Sequence, residues 1–426
     1  MESRFSYKTG KQDILRMIES EIAIVGAGPA GLSAALFLGK NGIPCSLIDR
    51  SVFPRDKVCG DCLGGFVISV IRQLGQDTFN RFIAFDRKIE GKGVHFFSPS
   101  AKKISIPAIR LVDGRIPELA LSTRYDFDNF LMDEVRRYKH VQIYSNVEIF
   151  KHKRENGRLV FSDRNDHQLL KTRMAVIATG SQSKIAADLS GYKIPKKHLA
   201  GGLRCYYEGV EGIAGEGYIE FHFLEELIPG YLWIFPLKNN LANVGIGQRS
   251  DVIARRGTDL KKLMPHVIAS NPHLQRRFAK AKMVGRPEGF PLSLGMTRRR
   301  ISGDNYLLAG DSASLIEPFF GEGIGNAMYS GKLAADHIMN CGVAGDFSAG
   351  VNRFYDRAVY AKIGRALALS RWLQRAAGNT WLLERVFDNT GKKPELRRLL
   401  EGAVNGDMAA HPGIGVEFII RAIVGI

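Results

Sequence analysis

The loop Lys57-Val58-Cys59-Gly60-Asp61-Cys62 gathers an amine, two thiols and a carboxylate within six residues. A Cys-x-x-Cys spacing serves either a dithiol redox couple or half of a zinc site. Zinc needs about two further ligands, and the chain holds no second Cys pair. A dithiol couple needs a thioredoxin-like setting, and the motif stands elsewhere. Cys59 is then either a working thiol or a buried structural one. A second group with chemical character is Tyr231-Leu232-Trp233-Ile234-Phe235-Pro236. On a strand, Tyr231, Trp233 and Phe235 share one face. Such a face belongs to a core or to a long apolar pocket.

These groups need a scaffold to position them, and two glycine-rich segments supply it. Glu21 to Val25 reads as a β-branched strand, and Gly31 to Lys40 as an apolar helix. Between them stands Gly26-Ala27-Gly28-Pro29-Ala30-Gly31, a turn suited to a pyrophosphate at a helix N-terminus. A strand Pro44 to Ile48 then ends at Asp49, whose carboxylate suits adenosine ribose hydroxyls, with Arg50 beside it. Nearly three hundred residues later come Gly310-Asp311-Ser312 and Gly321-Glu322-Gly323-Ile324-Gly325. A strand ending in an acid and a glycine-rich helix start fit the sugar and ring end of the same ligand. Two distant segments serving one dinucleotide indicate FAD in a split Rossmann-type domain. Only one such glycine unit occurs, so NAD(P)H or reduced ferredoxin would be a transient electron donor.

Composition bounds the class. The 426 residues are 45% hydrophobic and 24% charged, ordinary for two or three globular domains. Five cysteines without a disulfide framework fit a reducing compartment. The first twenty residues carry acids and no apolar core, and no apolar run is long enough to span a bilayer. These features predict a cytoplasmic chain. Its formal charge is +17, from 60 Lys and Arg against 43 acids. No stacking motif or finger spacing supports nucleic acid. Basic residues gather at Arg365, Arg371, Arg375, Arg385, Lys392, Lys393, Arg397 and Arg398, before an apolar end from Val416 to Ile426. That pattern fits peripheral contact with a membrane surface, or a solvated basic face with a packed tail.

The pattern along the chain predicts an α/β fold with an inserted antiparallel β-sheet domain and a helical C-terminal region. A helix is expected over Tyr125 to Tyr138, a strand at Val141 to Tyr144, a hairpin at 158–171 and a separate buried strand at Met174 to Gly180. Alternating residues over 200–250 form antiparallel strands with an Asn239-Asn240 turn. The expected FAD-binding domain comprises 21–90, 118–182 and 296–345. The substrate-binding sheet domain comprises 91–117 and 183–295, and the helical region 346–426.

Taken together, the glycine turn, Pro54 to Asp61, Gly230 to Pro236 and Ala309 to Gly325 resemble the geranylgeranyl reductase family of FAD-dependent oxidoreductases, which have the p-hydroxybenzoate hydroxylase-like fold. The Lys-x-Cys-Gly and Tyr-x-Trp-x-Phe-Pro segments are the discriminating ones. The resemblance implies that Arg124 lies along the cofactor, that Asp311 accepts from the ribityl hydroxyls, and that Gly321, Gly323 and Ile324 face the flavin N1/O2 edge. It counts Lys57, Cys59, Gly60 and Gly310 with the cofactor site. It places Cys59 near the ring as a proton deliverer, and Tyr231 and Trp233 beside the substrate. The implied reaction is reduction of carbon–carbon double bonds of an isoprenoid or lipid-like substrate, apolar and in some cases phosphorylated, by hydride transfer from reduced flavin. The alternative is a monooxygenase or halogenase on an aromatic or polyketide-like substrate; a halogenase would show Trp-x-Trp-x-Ile-Pro, where this chain has Tyr231 and Phe235.

Overall fold

A computed structural model of the protein describes residues 17–108, 119–213, 217–342 and 345–404, without the side chains of residues 399 and 402–404. The aliphatic run Ile18–Val25 forms the middle of a parallel sheet. Its neighbours run, in order, Tyr306–Leu308, Gln168–Ile177, Ile18–Val25, Cys45–Ile48 and Val141–Tyr144. Strands buried on both faces carry continuous rather than alternating apolar residues, and Cys45–Ile48 is buried at every position. Chain crossings at the C-terminal ends of these strands bring the turns after Val25, Ile48, Ile177 and Leu308 to one edge of the sheet. That edge is where doubly wound sheets bind ligands.

The hairpin arm Arg158–Ser162 pairs antiparallel with Gln168–Ile177. The second arm of the expected hairpin and the expected buried strand are therefore one continuous strand. It serves both pairings because its two edges face different partners.

Helix Pro29–Lys40 starts two residues earlier than expected, since proline is tolerated in the first turn where its missing N–H costs nothing. It packs on helix Ile324–Gly342 at backbone distance: a Cβ at Gly331 would lie 2.0 Å from Ala30 O. Ser33 Oγ donates to Met328 O across the same contact at 2.7 Å. This helix pair locks the first glycine segment to the last.

A second sheet has the order Lys282–Ser293, Leu199–Glu208, Leu241–Arg249, Gly230–Pro236, Tyr218–His222, Gly93–Phe97, Lys103–Pro107. It is antiparallel except where Gly93–Phe97 runs parallel to Tyr218–His222, which departs from a wholly antiparallel insert. Gly93–Phe97 and Lys103–Pro107 come from an earlier excursion of the chain, so no short turn dictates their direction against Tyr218–His222. Leu203, Leu232, Ile234 and Val244 on one face pack against Met264 and Val267 of helix Leu260–Ser270. The other face is aromatic, with Phe96, Phe221, Phe223 and Phe235 beside Phe387 of helix Thr380–Lys392. Helices Ala349–Ala376 and Pro394–Val404 complete the C-terminal region. The apolar end from Val416 to Ile426 lies outside the described residues.

Candidate functional site

The glycine turn is shaped by contacts only glycine permits. Gly26 has φ +105°, and a Cβ there would lie 2.4 Å from Ala178 O; at Gly31 it would lie 1.8 Å from Gly26 O. At Gly28 a Cβ would meet nothing within 4 Å. The N–H groups of Gly28, Ala30 and Gly31 make no hydrogen bond among the described residues. Open space and three free donors at a helix start fit a pyrophosphate. Asp49 first serves the protein itself: Oδ2 accepts from Ala27 N–H at 2.6 Å and Oδ1 from Ser51 N–H at 2.7 Å. Its remaining lone pairs suit the ribose hydroxyls. Arg50 beside it is exposed.

Beside the turn sits a charge cluster that only half emerges from the sequence. Arg124 is buried at the start of helix Arg124–Arg136, whose N-cap Thr123 accepts from Asp126 N–H. Its guanidinium grips Asp128 one turn later, Nε to Oδ1 at 2.7 Å and Nη2 to Oδ2 at 2.6 Å. Arg55 donates to the same Asp128 Oδ2 at 2.7 Å and to Ala27 O at 3.2 Å. Two guanidinium groups thus share one fully buried carboxylate, leaving a net positive charge next to the free N–H groups. Burial alone would push the Asp128 carboxyl up, but Arg124 and Arg55 outweigh it and hold it below the ordinary range. Arg55 and Asp128 were not among the expected residues. The i, i+4 spacing of Arg124 and Asp128 on an expected helix was the available signal.

The Cys59 loop is fastened to the second sheet by Asn243. Its Nδ2 donates to Cys59 O at 2.7 Å and Asp61 Oδ2 at 2.8 Å, while its Oδ1 accepts from Trp233 Nε1 at 2.9 Å. Tyr206 OH donates to Asp61 Oδ2 at 2.7 Å. Asp61 is fully buried with φ 65°, and burial raises its pKa to about 6 despite these donors and Arg204. Glycines make the fit possible: a Cβ at Gly60 would lie 3.0 Å from the Phe235 ring, and one at Gly245 would lie 2.2 Å from the Trp233 indole. Burial pushes the Cys59 thiol up, partly opposed by Arg124, so it stays protonated. Lys57 Nζ lies 3.2 Å from the Phe290 ring centroid and donates to Val58 O at 3.2 Å. Burial, with repulsion from Arg124, lowers its pKa to about 8, against the pull of Asp311 and Cys59. Asn243 and Tyr206 carry no motif, and only the fold brings them to Asp61.

At the other end, Gly310 takes φ +60° so that Asp311 follows the strand closely against Ala30, 3.1 Å from a Cβ at Gly310. Asp311 Oδ2 accepts from Ser181 Oγ at 3.1 Å, and burial raises its pKa against the pull of Lys57. Helix Ile324–Gly342 begins after the glycines, and Gly325 N–H is taken by Glu322 Oε1 at 2.8 Å. The Gly323 and Ile324 N–H groups make no hydrogen bond among the described residues. Burial lifts Glu322 to about 7, with Glu317 and Asp311 adding repulsion. Tyr231 OH donates to Phe320 O, and a Cβ at Gly321 would lie 3.3 Å from that hydroxyl. The strand of the insert therefore touches the last glycine segment directly. Tyr231 and Trp233 stay half-buried, whereas Phe235 is buried.

This fold and cradle define a flavoprotein with a split Rossmann-type FAD domain. Residues 19–199 match the FAD binding domain family, and residues 203–285 match the geranylgeranyl reductase catalytic domain. The chain is 26% identical over 382 residues to the menaquinone reductase of Mycobacterium tuberculosis, covering 83% of each chain. It is 28% identical over 342 residues to the digeranylgeranylglycerophospholipid reductase of Methanocaldococcus jannaschii, covering 79% of this chain and 81% of that one. Its fold matches a geranylgeranyl bacteriochlorophyll reductase-like protein from Thermoplasma acidophilum with TM-score 0.77 over 96% of both chains, at 22% identity. The chain belongs to the geranylgeranyl reductase family and is a FAD-dependent oxidoreductase.

Proposed function

We propose that the protein reduces carbon–carbon double bonds of an isoprenoid or other lipid-like substrate. The observation that carries this reading is the contact of one aromatic strand with both halves of the cofactor edge. Tyr231 reaches Phe320 and Gly321, while Phe235 and Trp233 pack on the Cys59-Gly60 loop. A chain of apolar carbons lying along that strand would meet few polar groups and little water.

When bound, FAD supplies hydride-carrying, two-electron chemistry. The free N–H groups of Gly28, Ala30 and Gly31, with Arg124 and Arg55, would hold its pyrophosphate; Asp49 and Arg50 would serve the adenosine end. Asp311, Gly310 and Lys57 would hold the ribityl side, and Gly321, Gly323 and Ile324 the ring edge. Cys59 keeps its proton at neutral pH and would offer it at the substrate carbon that needs one. Tyr231 and Trp233 would align the alkene, with Trp233 held in place by Asn243. NAD(P)H or reduced ferredoxin would supply electrons transiently. The domain division that follows is 21–90, 118–182 and 296–345 for FAD, 91–117 and 183–295 for substrate, and 346–426 for the helical region.

No helix among the described residues is long and apolar enough to cross a membrane. A lipid substrate would then be met at a surface. Phe354 and Trp372, 60% and 40% exposed, lie five turns apart on one side of helix Ala349–Ala376, with Arg357 and Arg365 between them. That face fits peripheral contact; sedimentation with anionic vesicles and none with neutral ones is the expected result, and equal recovery from both removes the idea.

The relatives act on different molecules by name, so the substrate test is a panel: a prenyl diphosphate, a digeranylgeranyl phospholipid and a menaquinone. Under anaerobic reducing conditions, at least one should gain two hydrogens per reduced bond by mass spectrometry. Inertness of all three, with oxygenated or halogenated products from aromatic compounds in air, would replace this reading with the monooxygenase or halogenase one.

A further inference from the structure

A cleft of about 360 Å³ lies beside the Asp311 turn, lined in part by Gly180, Ser181, Lys184, Lys193, Arg299 and Ser312. Arg299 is its unusual member. The guanidinium stacks over Tyr192 at 4.5 Å and donates to Ser312 O at 2.9 Å and, weakly, to Arg300 O at 3.4 Å. No carboxylate pairs with it among the described residues, and its Nε is buried without a partner. Its half-buried guanidinium is thus in direct contact only with neutral oxygens and a ring. Burial accordingly lowers its pKa, with Tyr360, Tyr192 and Asp356 opposing through space.

A desolvated cation with an unused donor is costly unless an anion completes it. The guanidinium fork matches phosphate oxygens, and a stacked tyrosine holds the fork in one plane. Lys193 stands exposed at the rim and adds attraction, while Lys184 is already paired with Asp188 at 3.0 Å. Position decides what kind of phosphate compound this is. Ser181 lines the cleft and also donates to Asp311 Oδ2, so the cleft and the ribityl side of the flavin site share a wall. A ligand anchored at Arg299 would have its remaining length within reach of the reacting centre.

We propose that the Arg299 cleft is a phosphate-recognition site for a ligand that works at the neighbouring flavin site. Two sources present that chemistry: a hydride-donating nicotinamide dinucleotide and a phosphorylated prenyl substrate. The assignment of a working ligand rests on the reductase reading, whereas anion binding itself does not.

The test is calorimetric titration of the FAD-loaded protein with 2′,5′-ADP, a prenyl diphosphate and inorganic phosphate. The wild type should bind one of the first two, and Arg299→Gln should weaken that binding by about tenfold or more at unchanged FAD content. Arg299→Lys should recover part of it, because charge returns without the fork. Lys193→Gln removes a rim charge from an exposed position and should weaken binding two- to threefold without disturbing the fold, so the claim survives a poorly folded Arg299→Gln. Loss confined to 2′,5′-ADP assigns the dinucleotide; loss confined to the prenyl diphosphate assigns the substrate. Either result supports the site even where no alkene is reduced. Unchanged affinities in Arg299→Gln and Lys193→Gln, or binding of inorganic phosphate with neither organic ligand, would overturn it.

Discussion

Replacing Asp128 by asparagine isolates the charge arrangement that readies the cofactor site. The carboxylate is fully buried and accepts three short bonds from Arg124 and Arg55. Asparagine keeps one acceptor and turns an N–H pair toward a guanidinium, so two buried cations lose their common counter-charge. Removing one partner of a buried pair costs about 3–5 kcal/mol. At roughly 2–4 °C per kcal/mol, that is a fall of about 6–20 °C in the melting temperature of the FAD-free protein. A bound pyrophosphate would partly replace the lost charge, so the fall should be clearly smaller in the loaded protein. The assay is thermal unfolding with and without FAD, for wild type, Asp128→Asn, Arg55→Gln and the double variant. The double variant should recover part of the loss, since one stranded cation is gone. A loss below about 1 kcal/mol, or equal losses with and without FAD, would refute the claim that this carboxylate balances arginines facing the cofactor.

Other outcomes follow from the same geometry. Gly28→Ala puts a methyl into open space and should leave the FAD-free fold intact while weakening FAD binding at least tenfold, or about 1.4 kcal/mol; Gly31→Ala forces a Cβ to within 1.8 Å of Gly26 O and should lower FAD-free stability as well. Melting curves and flavin titrations separate the two. Asp61, raised to about 6 from 3.8, binds its proton more tightly in the folded state. Its contribution is therefore present below about pH 4 and lost as pH rises through 6, on the order of 3 kcal/mol in all. Asn tolerates the positive φ, so Asp61→Asn should flatten that part of the stability-versus-pH curve, and an identical pH profile counts against the burial argument. Cys59→Ala should lower turnover about 10²-fold with FAD retained, and unchanged turnover would leave Cys59 a structural thiol.

What the sequence made legible was local. The glycine turn, the strand ends at Asp49 and Asp311, and the period-two aromatic strand each announce themselves within a dozen residues, because backbone conformation and side-chain alternation are local constraints. The continuous strand Gln168–Ile177 reads as two because one edge carries the hairpin arm Arg158–Ser162 only as far as Thr172, whereas the other edge pairs with Ile18–Val25 from Leu170 to Ile177. The parallel contact of Gly93–Phe97 with Tyr218–His222 joins segments more than a hundred residues apart, and no local pattern encodes such pairing. For the same reason Asn243, which ties Cys59 and Asp61 to Trp233, looked like an ordinary strand residue. Glu322 was read as part of a glycine-rich helix start, yet it consumes one of the N–H groups that the start was expected to present.

The central claim is that electrons held on this protein's FAD go to a substrate carbon–carbon double bond. The most direct measurement is a single turnover: the FAD-loaded protein is reduced anaerobically, mixed with the prenyl substrates, and followed by flavin absorbance and product mass. The oxidised flavin spectrum should return only with an alkene present, in step with a gain of two hydrogens per bond. A flavin that stays reduced with every alkene and reoxidises only when oxygen is admitted, giving an oxygenated or halogenated product, would contradict it.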